Sequence, residues 1–94
     1  MTSYTRTQIV ELLHVDDGFV ALLEEEEIVF VDEPEAMPDT YSERMLERVR
    51  VADTLVHELE IDLAGVAIIV RMREEMATLR QALVRALAGG GPAR

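Results

Sequence analysis

The sequence predicts a mainly α fold, in which a small winged helix-turn-helix is followed by two longer helices, the last a possible dimer helix. Three observations carry this. Two helix-start patterns flank an acidic turn within residues 5–27, a β-prone run and a proline-bearing loop follow at 28–39, and helically spaced apolar residues fill the remainder.

Thr5, Arg6, Thr7 and Gln8 form an S/T-x-x-E/Q capping box, in which the Thr5 hydroxyl and the Gln8 amide satisfy backbone N–H groups unpaired at a helix start. Ile9, Leu12 and Leu13 then supply an apolar stripe at i, i+3, i+4. This first helix is expected to stop near His14, with Val15 packed in the turn. Asp16 or Asp17 caps a second helix, whose inward face is Phe19, Leu22 and Leu23 and whose distal end is the glutamate run 24–27. Together they read as a helix-turn-helix.

Residues 28–31 are β-prone, and 32–39 contain Pro34 and Pro38, so a strand and a loop are expected where a wing would sit. Residues 40–43 repeat the capping-box pattern from Thr40, and Met45, Val49, Ala52, Val56 and Leu59 recur at helical spacing along a third helix. Asp62 caps a fourth helix, expected to run to about Leu87, where Gly89, Gly90, Gly91 and Pro92 end it. Residues 1–88 are thus expected as one domain, with an acidic half at 1–43 and a helical half at 44–88, and 89–94 as a flexible tail.

On the fourth helix Ile69, Met72, Met76, Leu79, Leu83 and Ala86 follow the alternating spacing of a heptad seam. Two readings stay open. Ile69, Met72, Met76, Leu79 and Leu83 form a homodimer interface, or the stripe packs on the chain's own core. In a parallel pair Glu75 would face Arg80 of the other copy, whereas an antiparallel pair would bring Arg73 toward Arg80.

Charge is segregated along the chain: residues 1–43 hold twelve carboxylates against the single Arg6, while 44–94 hold eight arginines against seven acids. With 49% hydrophobic residues the chain is too apolar for a disordered acidic tail. A chain of 94 residues buries only roughly 60 to 65% of its unfolded surface, so a partner or second copy would add stability. Cysteine is absent, which excludes disulfides and thiolate metal sites. The longest apolar run, 63–70, is interrupted by Gly65 and falls far short of the roughly 20 residues that span a bilayer. No secretion pattern opens the chain. A cytoplasmic protein with no membrane partner is expected.

Catalysis finds little support. His14 and His57 are the only histidines, and neither a phosphate-cradling glycine loop nor a dinucleotide fingerprint occurs. Of the glutamates at 24–27 only Glu24 and Glu27 share a helix face, whereas hard cations want six to eight converging oxygens. No catalytic residue, cofactor or metal is expected.

The eight carboxylates Asp16, Asp17, Glu24, Glu25, Glu27, Asp32, Glu33 and Glu35 lie on the second helix and wing, where DNA readers of this type place Arg or Lys. Each carboxylate about 10 Å from a phosphate is repelled by roughly 0.4 kcal/mol in water. Eight of them argue against DNA on this surface, leaving Arg44, Arg48 and Arg50 to touch a backbone elsewhere. A negative surface suits a basic protein partner, bound in a salt-sensitive way, unless the run serves solubility alone.

His57-Glu58-Leu59, then Asp62, Gly65-Val66-Ala67 and Glu75-Met76-Ala77-Thr78-Leu79-Arg80-Gln81, with Tyr41-Ser42 before the third helix and Thr5-x-Thr7-Gln8 opening the first, make up a recognisable set. The set resembles the CbpM chaperone modulators, small relatives of the MerR-type winged helix-turn-helix regulators, over nearly the whole chain. It differs at Leu63-Ala64, where members often carry Trp-Pro. The resemblance implies a regulator of a DnaJ- or CbpA-type co-chaperone that binds the basic J-domain and keeps it from stimulating the ATPase DnaK. Two alternatives stand beside it: a MerR-like transcription factor, and a subunit that pairs with a basic regulator.

Overall fold

The computed structural model describes residues 2–89, as β1 (Ser3–Tyr4), α1 (Arg6–Leu13), α2 (Asp17–Glu25), β2 (Tyr41–Ser42), α3 (Glu43–His57) and α4 (Leu63–Gly89). It is mainly helical, with a helix-turn-helix, a two-stranded sheet and two longer helices. Thr5 closes both arms of its capping box: Gln8 N–H donates to Thr5 Oγ1 at 3.2 Å, and Thr5 N–H donates to Gln8 Oε1 at 2.9 Å. His14 ends α1 in left-handed backbone with φ 56°. Val15 is buried in the turn, as its position between the two helices requires.

The inward face of α2 is Phe19, Val20 and Leu23, so Val20 takes the place expected of Leu22, which is exposed. Both residues flank the Phe19–Leu23 stripe, about 60° to either side. The core lies on the Val20 side. The helix also stops at Glu25, and Glu27 turns the chain with a positive φ of 58°, so the end of the glutamate run lies outside the helix.

Residues 28–31 are not a strand. The amides of Ile28 and Val29 both donate to Leu23 O, at 2.9 and 3.3 Å, which extends the end of α2 and leaves them no ladder. Both side chains are also buried, whereas a half-exposed strand would alternate. The sheet forms elsewhere. β1 pairs antiparallel with β2, Ser3 opposite Ser42 and Tyr4 opposite Tyr41, so the N-terminal segment closes on the arm that leads into α3.

Ser42, not Thr40, caps α3. Met45 N–H donates to Ser42 Oγ at 3.4 Å, while the Thr40 hydroxyl donates to Met37 O at 3.1 Å and steadies the loop instead. Met45, Val49, Val51 and Ala52 are the buried face of α3. Leu59 leaves this stripe because the helix has ended at His57, and it is exposed. Asp62 starts α4 as expected, its Oδ1 accepting the Gly65 N–H at 2.8 Å. A Cβ at Gly65 would lie 2.8 Å from Ile61 Cγ2, so glycine lets Ile61 fold over the first turn. Gly89 is helical, which moves the expected tail boundary, and 90–94 lie outside the described residues.

One cluster of buried side chains joins α1, α2, the 28–29 segment, β2, α3 and the first two turns of α4, where it ends at Val66 and Val70. α4 doubles back along α3, bringing Glu74 to Arg44 and Arg48 near the start of that helix. Every described residue from 75 onward is exposed. The radius of gyration, 16.0 Å, accordingly exceeds the roughly 12 Å of a compact chain of this length.

Arg48 joins three parts of the molecule. Its Nε and Nη2 donate to the two Glu74 oxygens at 2.8 Å each, its Nη1 donates to Ile28 O at 2.9 Å, and its guanidinium sits 5.7 Å over the Phe30 ring. The side chain is only 13% exposed. Replacing it with Met leaves the Ile28 carbonyl and the Glu74 carboxylate without their partner, so Arg48→Met is expected to lose about 2–3 kcal/mol of stability. Urea denaturation checks this.

Candidate functional site

The acidic residues divide by what their oxygens already hold. Glu24 accepts the Tyr41 hydroxyl and pairs with Arg6, which also reaches Asp17 at 3.6 Å. One carboxylate therefore ties α1, α2 and β2 together. Asp32 accepts the Ser42 backbone N–H at 3.3 Å and the Ser42 hydroxyl at 2.5 Å. Burial pushes the Asp32 carboxyl up, but the hydrogen bonds and Arg44 together hold it below its ordinary value. Glu24 and Asp32 thus brace the wing region from inside.

The others face outward. Asp16, Asp17, Glu25, Glu27 and Glu35 are exposed and Glu33 is half-buried. At about 100° per residue, the side of α2 turned from the core carries Gly18, Ala21, Leu22 and Glu25. Asp16 and Asp17 precede this strip and Glu26 and Glu27 follow it, so acids bracket a largely uncharged surface.

The arginines of α1 and α3 each pair with a carboxylate, whereas Arg71, Arg73, Arg80 and Arg85 stand exposed on α4. Arg6 and Arg48 hold the contacts given above, and Arg50 donates to both Glu47 oxygens, at 2.9 and 2.6 Å. Arg50 is the main cause that holds the Glu47 carboxyl below its usual range. Arg44 is 3.7 Å from Glu74 but more than half exposed. Of the three arginines the sequence left for a nucleic-acid backbone, Arg48 is therefore enclosed, Arg50 is held by Glu47, and Arg44 is the least engaged.

His57 sits at the end of α3, its Nδ1 2.8 Å from Asp53 Oδ1 and its ring 4.8 Å from that of Phe19. It joins α2 to α3. Among the described residues no group of three His, Cys, Asp or Glu is placed to hold a metal ion, and no helix is long and apolar enough to cross a membrane.

The seam on α4 separates from the core. Ile69 is half-buried, but Met72, Met76, Leu79 and Leu83 are exposed, Leu79 by 69%. The reading in which this stripe packs on the chain's own core fails from Met72 onward. The reason is angular: Val66 and Val70 enter the core and Ala77 borders the groove against α3, and the seam lies about 130° around the helix from them.

Two short helices across a turn, a small sheet beside them and a long helix that packs back and then projects define a helix-turn-helix module. The chain matches the MerR HTH family of regulatory proteins over residues 4–87 and belongs to that family. Comparison with curated proteins and with solved structures gave no match.

The braces predict a pH response. The Arg48 hydrogen bonds outweigh burial and hold the Glu74 carboxyl below its ordinary 4.5, and Asp32 lies below 3.8. Because both are depressed on folding, their stabilisation is complete above the unfolded values and is lost as pH falls through the folded ones. Thermal stability should therefore drop below about pH 4, and less steeply in Glu74→Gln, already weakened at neutral pH. Parallel melting curves of the two proteins would contradict the assignment for Glu74.

Proposed function

We propose that the protein is a noncatalytic modulator that binds the basic J-domain of a DnaJ- or CbpA-type co-chaperone and so limits its stimulation of DnaK. One observation carries the reading: the helix-turn-helix turns exposed carboxylates outward at both ends of α2, while Arg6 and Arg48 are spent on internal contacts. A surface of that sign draws in a cationic protein over long range, and the uncharged strip of Gly18, Ala21 and Leu22 leaves room for close packing. The CbpM-like segments support a J-domain as that partner. They include Asp62 and Gly65, whose hydrogen bond starts α4.

Calorimetric titration of the full chain with a J-domain at low ionic strength is expected to give heat that disappears as salt is raised. Absence of heat at about 100 µM of each protein contradicts the proposal. Exchange of Glu25, Glu27 and Glu35 for Lys should weaken binding about tenfold with helicity unchanged. Glu24 and Asp32 are left intact in that variant because they brace the fold, so unaltered affinity would assign the outward acids to solubility.

Membership of the MerR HTH family favours a second reading, a DNA-binding transcriptional regulator. Arg44 is the cation best placed for it. Retardation of promoter DNA at about 0.1 M salt, lost on Arg44→Glu, would support that function over J-domain binding.

A further inference from the structure

We propose that the cleft between α3 and α4 binds a small organic acid, with its apolar body on Val51, Val70 and Ala77 and its carboxylate on Arg73. The cleft lies beside the Arg48–Glu74 bridge, which ties the two helices together at this level, and has a volume of about 170 Å³. A cavity of roughly 150 Å³ lined by apolar side chains holds benzene, so the space fits an aromatic ring or a branched chain of about six non-hydrogen atoms. The floor is apolar, because Val51 and Val70 are both buried. Ala77 leaves the cleft open. It stands one turn beyond Arg73 and two beyond Val70 on the same side of α4, where a longer side chain would fill the space.

Charge decides what the mouth accepts. Two carboxylates border it, but both oxygens of Glu74 are taken by Arg48, with Arg44 a further 3.7 Å away, and both oxygens of Glu47 are taken by Arg50. Arg73 is held least. It approaches Glu47 Oε2 at 3.7 Å, an oxygen that already accepts from Arg50 Nη2, and its side chain is 55% exposed. Four guanidiniums, of Arg44, Arg48, Arg50 and Arg73, thus surround two carboxylates, and Arg80 carries the excess along the adjoining groove that it lines with Arg73 and Met76. Positive surplus over an apolar floor suits an anion with an apolar body, and a planar guanidinium engages a carboxylate through two parallel hydrogen bonds. A nucleotide exceeds the volume, and an organic cation meets a surplus of its own sign. Occupancy draws Arg73 off Glu47 and adds a second tie between α3 and α4 next to the Arg48 bridge. The cleft has no residue of α2 in its lining, so the site stands apart from J-domain binding.

Benzoate is the probe, with benzamide as its uncharged counterpart. Titration of the isotopically labelled full chain with benzoate is expected to give saturable amide shifts at Val51, Val70, Arg73 and Ala77, with a dissociation constant on the order of 0.1–1 mM. Benzamide should bind about tenfold more weakly. Arg73→Gln is expected to bring benzoate down to the level of benzamide. Ala77→Leu keeps a strong helix former at an exposed position, so it should abolish binding of both while the melting temperature does not fall. Absence of saturable shifts at about 10 mM benzoate, shifts centred elsewhere, benzamide bound as tightly as benzoate, or full affinity in either variant would each overturn the proposal.

Discussion

Arg48 is the constraint on which the arrangement of the molecule depends. A single guanidinium binds both oxygens of Glu74 on α4, the Ile28 carbonyl at the end of α2 and the Phe30 ring, so the two halves of the chain are held at one point. The planar fork makes this possible, because two donors engage a carboxylate while a third remains for a carbonyl. With α4 fixed against α3 at residue 74, its remaining turns project beyond the core. The residues 28–29 are held down as part of that core, and the wing becomes a bent loop instead of a hairpin.

Glu24 does for the first half what Arg48 does for the junction. It receives the Tyr41 hydroxyl and the Arg6 guanidinium, while Asp32 receives Ser42 on the same strand. Two carboxylates of an acidic surface are thereby turned inward as braces, and the charge that faces solvent comes from the residues around them. Structure and the proposed recognition thus draw on one stretch of sequence but on different side chains.

Much of the fold was legible because it obeys local rules. The capping box at Thr5, the turn at His14 and Val15, and the start of α4 at Asp62 are set by hydrogen bonds within a few residues. Elements that depend on distant partners were not legible. The β-prone run 28–31 has strand composition, yet its amides belong to Leu23 and one of its carbonyls to Arg48. β1 and β2 have two residues each, too few for any periodicity, and pair across almost forty positions. Thr40 heads the capping-box pattern, yet Ser42, with Met45 and not Glu or Gln three residues on, caps α3, because Tyr41 and Ser42 pair with Tyr4 and Ser3 and stay extended. For the candidate site the sequence supplied the carboxylates and the seam. It could not separate Glu24 and Asp32 from the outward acids, because that division rests on Tyr41, Arg6 and Ser42 approaching in space. A lone arginine between Glu47 and Val49 likewise carried no sign of the contacts Arg48 makes.

The central claim is that the outward acids around α2 dock a cationic protein. Amide chemical-shift mapping on the isotopically labelled chain, as a J-domain is added, tests it most directly. The account predicts that shifts concentrate at Asp16, Asp17, Gly18, Ala21, Leu22, Glu25 and Glu27 and fade as salt is raised, while Leu79 and Leu83 stay in place. Shifts confined to α4, or none at saturating J-domain, would contradict it.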